Sequence, residues 1–191
     1  MPWLFLLAYI CSGLAGLVYE VSWTRLLTLY IGHTTAAAAA VVAAFLGGLA
    51  VGAAWGGRIA STLSRASALR AYVGLELGVA VAALLLPWEL RLLTPVLSWA
   101  YGDGGAGLIF PLMRLVSCLL MVFAPAAALG ATFPMAIRWF ASEGPAPARM
   151  SGMLYALNTA GAAVGAMLAG FILIPAVGVS GTTYILSLIH I

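Results

Sequence analysis

The chain has 191 residues, 64% of them hydrophobic and 7% charged, with a net charge of +3 and a mean hydropathy of +1.14. Soluble domains carry about 25% charged residues, so this chain cannot cover a water-exposed surface; a soluble globular enzyme, a disordered chain and a disulfide scaffold are excluded. Its positive charge is scattered arginine with no lysine, too little and too dispersed for a nucleic-acid partner.

A membrane-spanning helix needs about 20 apolar residues. The first run, about 3–31, carries Glu20 and Arg25. No basic residue precedes it and it outlasts a signal-peptide core, so it reads as a retained helix. The second, 35–57, has no charge, and the third, 71–88, contains Glu76. The fourth, 108–133, has Arg114 near its start, with Pro111, Pro125 and Pro134 in or beside it. Prolines kink such helices. The fifth, 150–177, holds Asn158, and a sixth apolar stretch opens near Val179. Residues 186–191 read as what a transposon-end adapter from DNA library preparation would encode, so they are expected to lie outside the natural sequence. The expected architecture is an all-α integral membrane bundle, a polytopic domain over 1–185 with five complete helices and an incomplete sixth.

Arg58, Arg65 and Arg70 fall between the second and third helices, and Arg138 and Arg149 between the fourth and fifth. The opposite side holds only Arg91, with His33 and Asp103. The excess of arginine marks the cytoplasmic side, which puts the N-terminus in the cytoplasm. Gly48-xxx-Gly52-xxx-Gly56 and Gly161-xxx-Gly165 place small residues on one helix face. Such spacing lets helix backbones approach closely in lipid, within one chain or between two copies, so a homo-oligomer stays open. Cys11 and Cys118 lie in apolar runs and read as small buried hydrophobes.

Charges within a membrane cost about 3 kcal/mol each at a helix centre. Glu20 and Arg25 stand about 140° apart around their helix, so each is expected to find its partner on another helix. Glu20–Arg114 and Arg25–Glu76 both balance charge. Three roles stay open for the four: ion pairs that set helix register, a substrate or proton path, and snorkelling of the arginines to the interface. Asn158 reads as an interhelical hydrogen bond before a ligand contact. Gly102, Gly104 and Gly107 spell G-x-G-x-x-G, but the dinucleotide fingerprint needs a preceding strand; between membrane helices it reads as a turn. There is no lysine for a phosphate loop, no metal-ligand spacing and no Ser–His–Asp set. No catalytic residue, metal site or cofactor is expected in this stretch.

Three motifs occur together: Tyr19-Glu20-Val21-Ser22-Trp23-Thr24-Arg25-Leu26, then Gly130-Ala131-Thr132-Phe133-Pro134, then Leu154-Tyr155-Ala156-Leu157-Asn158-Thr159-Ala160-Gly161-Ala162. Over about residues 4–180 the chain resembles the membrane region of bacterial proteins that fuse a transporter-like bundle to a C-terminal spermidine synthase-like domain. It departs at Ala126, where that family has Thr. The resemblance implies half of a major-facilitator-like bundle in the bacterial inner membrane, with the bilayer and a C-terminal domain, absent from this stretch, as partners. That domain would be Rossmann-like and would use decarboxylated S-adenosylmethionine and a polyamine acceptor; none of its binding residues falls on this chain. The implied function is to anchor, and supply, an aminopropyltransferase-like catalytic domain. The alternative is the N-terminal half of a major-facilitator-type secondary transporter, its path lined by Glu20, Arg25, Glu76 and Arg114.

Overall fold

In lipid, every backbone N–H and C=O must find a partner within the protein, which leaves the helix as the spanning form for a chain of this composition. The computed structural model describes residues 2–31, 33–101, 109–141 and 147–190. Its elements are α1 (Pro2–Ile31), α2 (Thr35–Thr62), α3 (Arg65–Tyr101), α4 (Ile109–Phe140), α5 (Pro147–Leu168), a π-helical turn (Ala169–Leu173) and α6 (Ile174–His190). Five runs are long and apolar enough to cross a membrane: Trp3–Tyr30, Thr35–Thr62, Arg65–Trp99, Phe110–Phe140 and Pro147–Leu186. The last is one apolar run that contains a break. Gly178 adopts φ 74°, ψ 173°, a conformation that interrupts the helix within α6.

The helices outrun the apolar windows. α2 continues to Thr62 and α3 begins at Arg65, so only Leu63 and Ser64 connect them. Arg58 therefore sits in α2, and Arg65 and Arg70 in α3, rather than in the expected loop. The reason is local. Ser64 caps α3, its Oγ accepting from Ser67 N–H at 3.2 Å, as Thr34 caps α2 by accepting from Ala37 N–H at 3.0 Å. A cap of this kind supplies the partner that the first turn of a helix lacks. α3 also runs through Pro87 and Pro95, and α4 through Pro125 and Pro134. A proline removes one rung of the ladder, and the remaining rungs hold the helix where no water competes.

Two parallel helix pairs form the frame. Gly48, Gly52 and Gly56 of α2 meet Phe123, Ala127 and Ala131 of α4 in the same order, and Gly130 meets the Leu49 backbone. Gly161 and Gly165 of α5 meet the backbones of Ile10 and Leu14 of α1. At Gly52 and Gly161 a Cβ would overlap the facing carbonyl. The glycine faces are thus spent within the chain. Ala126 takes part, its Cβ against Gly48, where a Thr would need more room.

α3 runs antiparallel to α4. Arg65 Nε donates to the Trp139 carbonyl at 2.9 Å, and Arg138 Nε to the Leu63 carbonyl at 2.8 Å. Phe5 lies 4.3 Å from the Trp139 ring, so the start of α1 joins the same end of the bundle. Further packing joins α6 to α1 and to α3, with smaller contacts of α1 with α2 and α4, and of α4 with α5. Exchanging α1 with α4, α2 with α5 and α3 with α6 maps this set of contacts onto itself. The exchange relates α1, α2 and α3 to α4, α5 and α6 in these helix–helix contacts.

Candidate functional site

Glu76 is buried on α3, and Ser12 Oγ of α1 donates to its Oε1 at 2.5 Å. Tyr72, one turn earlier on α3, makes hydrogen-bonding contact with both. Residues four apart share a helix face, so the 72/76 spacing aims both side chains at α1. Tyr9, one turn before Ser12, brings its ring within 6.1 Å of Tyr72 and 5.9 Å of Phe5. Asn158 Nδ2 then donates to the Tyr9 carbonyl at 3.1 Å, tying α5 to this part of α1. Gly13 makes that approach possible, because a Cβ there would strike Asn158.

A cavity of about 520 Å³ opens beside the carboxylate, walled by Cys11, Ser12 and Ala15 of α1 and by Tyr72, Glu76 and Leu77 of α3. Ser12 lies ten residues into α1 and Glu76 eleven into α3, about 15 Å along each axis. Both helices start at the arginine-bearing end. Glu76 lies six residues, about 9 Å along α3, inward of Arg70, so the site stands within the apolar run Arg65–Trp99, on its arginine-bearing side. A carboxylate beside hydroxyl donors in an otherwise apolar cavity is complementary in charge to a cation.

Neither of the two charge-balanced pairings is seen among the described residues. Arg25 is exposed and stands thirteen residues from Ser12 on α1, about 20 Å from the Glu76 site, beyond the reach of its side chain. The Arg114 guanidinium lies 5.1 Å from the Phe110 ring, and its buried Nε has no hydrogen-bond partner. Among the described residues no carboxylate meets it, and Glu20 is half-buried on α1. Charge balance chose these pairs, whereas helix register decides who meets. Ser12 escaped notice because a lone hydroxyl in an apolar run carries little signal; Tyr72 could have been found from its i−4 spacing to Glu76.

The motif residues sit mostly in helix contacts rather than in the cavity. Tyr19 and Trp23 stack at 5.3 Å in the main core, next to buried Ser22. Gly130 and Pro134 lie in the α2–α4 contact. Thr132 is buried and bonds to its own helix at the Leu129 carbonyl, 2.7 Å away. Tyr155 is largely exposed with its ring 6.0 Å from Phe133, and Thr159 is exposed. Cys118 is buried, but Cys11 is exposed at the cavity rim, contrary to expectation. Apolar side chains face lipid as readily as core, so an apolar run says nothing about burial.

The chain matches no protein-family model, no curated protein and no solved structure. Its family resemblance therefore stands on the three motifs. Among the described residues no group of three His, Cys, Asp or Glu comes together. The Gly102–Gly107 motif and Asp103 lie outside the described residues.

Proposed function

We propose that this chain is the membrane domain of a spermidine synthase-like fusion protein, held in a bacterial inner membrane with its N-terminus cytoplasmic, and that it anchors and supplies an aminopropyltransferase-like catalytic domain. The observation that carries this reading is the Glu76 carboxylate within an apolar helix run and beside a cavity, hydrogen-bonded to Ser12. A mere anchor gains nothing from a carboxylate that costs about 3 kcal/mol to insert. An amine cation, the acceptor class implied by the resemblance, suits a carboxylate flanked by hydroxyls and aromatic rings. The arginine-bearing end, where α1 and α5 start and α2 and α4 finish, supports the cytoplasmic placement.

Binding of radiolabelled putrescine to the detergent-purified protein tests the site. Glu76→Gln keeps the shape and removes the charge; it is expected to weaken binding about tenfold to a hundredfold. Equal binding by the two proteins overturns the role of Glu76.

A second reading, half of a major-facilitator-type transporter, is favoured by one observation: the contact set is unchanged when the two three-helix halves are exchanged. Internal repeats are a transporter architecture. Sequencing unbroken genomic DNA past codon 185 separates the two. A strand, a Gly-rich turn and a helix downstream support the fusion; six further helices without a soluble domain replace it with the transporter.

A further inference from the structure

A second cavity lies on the far side of α3 from Glu76. α2 and α3 both pack on α4, and between them runs a groove of about 550 Å³. Val51, Trp55 and Ile59 form one wall, Gly74 and Leu75 the other, and Ala128 and Met135 belong to the floor and end. The groove extends eight residues along α2, about 12 Å, and its volume is that of a site for a small ligand. Its depth has a cause in the sequence. Gly52 and Gly56 bring the α4 backbone against α2, and Gly74 and Gly78 leave open space where a side chain would stand.

The walls are carbon, but the mouth is not. Arg58 follows Val51 by seven residues and Trp55 by three, which places it on the groove face of α2; Arg70 precedes Gly74 by four and shares its face of α3. Both arginines are exposed at the bundle end where the α2–α3 turn lies. Arg65 and Arg138, by contrast, are tied to backbone carbonyls. Arg70 Nη2 lies 3.3 Å from Ser67 Oγ, which in turn is near Ser64. Among the described residues neither Arg58 nor Arg70 meets a carboxylate. Trp55, 64% exposed, stands one turn inside the arginines, where an indole marks the border between hydrocarbon and headgroups.

We propose that this groove binds one anionic phospholipid, an acyl chain lying along Val51–Ile59 and the phosphate held between Arg58 and Arg70. Guanidinium groups bind phosphate through paired hydrogen bonds, and a net negative headgroup leaves that charge uncompensated by a choline. The site is separate from the Glu76 cavity and does not depend on the function assigned to it.

The test uses the purified chain and native mass spectrometry in the presence of dioleoyl phosphatidylglycerol or dioleoyl phosphatidylcholine. One phosphatidylglycerol per chain is expected to survive transfer, and phosphatidylcholine to be lost. Arg58→Gln should weaken retention about fivefold, and the Arg58→Gln/Arg70→Gln double variant about thirtyfold. Gly74→Leu fills the groove from a position with open space, so it should abolish retention and leave helix content unchanged. Three results would overturn the proposal. They are equal retention of the two lipids, phosphatidylglycerol retention untouched by Gly74→Leu, and a dimer that Gly74→Leu dissolves, which would make a second copy the occupant.

Discussion

At the scale of single residues, two helical glycines carry opposite energetic signs. Gly52 lies where a Cβ would overlap the Ala127 backbone, whereas Gly78 faces open space. Gly52→Ala must push α2 from α4, at a cost of about 1–3 kcal/mol. Gly78→Ala only removes chain entropy and should gain about 0.5–1 kcal/mol. Thermal unfolding in detergent reads both shifts, and two shifts of one sign would disprove the close α2–α4 contact. Glu76 belongs to the same scale. Its presence inside a membrane run was legible as costly and hence consequential. Its hydroxyl partner on α1 was not, since Ser12 and Glu76 are 64 positions apart, and only the fold closes that distance.

Among the elements, the continuous apolar run Pro147–Leu186 holds the main break. Hydropathy cannot mark it, because both sides are equally apolar. The backbone does, at Gly178, with φ 74°, where an L side chain meets its own carbonyl. Gly178→Ala should therefore cost about 1–3 kcal/mol, seen as a lowered Tm in detergent; an unchanged Tm would mean that the helix passes straight through. Thr182 reinforces the turn after the break, its Oγ1 donating to the Gly178 carbonyl at 2.7 Å. The apolar windows also stop short of the ends of α2, α3 and α4. Those helices run on through polar turns and prolines that an apolar window ends on.

Over the whole molecule, the arginine hydrogen bonds and the Phe5–Trp139 contact gather the start of α1, the α2–α3 turn and the end of α4 at one face. If that face is cytoplasmic, a membrane-impermeant thiol reagent applied to intact spheroplasts labels His33→Cys at once. Ser64→Cys is labelled only after permeabilisation. Both residues are exposed at opposite ends of α2, and a background with Cys11→Ser removes the native exposed thiol. The reverse order of labelling would invert the proposed orientation. The exchange of helices between the two halves also lives at this scale. No pair of segments shows it by composition, yet the contacts of α1 with α5 and of α2 with α4 answer one another.

Composition alone determined the solvent of this protein: too few charges to face water, and apolar runs of spanning length. Glycine spacing determined which helix faces could approach to backbone contact, and arginine distribution which ends belong together. Tertiary structure alone decided the partners. In a membrane, apolar side chains are stable both against lipid and against other helices, so hydrophobicity reports depth but not direction. Phe171 is 80% exposed and Phe45 2%, with nothing in either residue type to separate them. Charge balance likewise named Arg25 and Arg114 as partners for the carboxylates. Helix register instead set Ser12 against Glu76 and carried Arg25 about 20 Å away, because a rigid helix fixes which residues stand at the same depth.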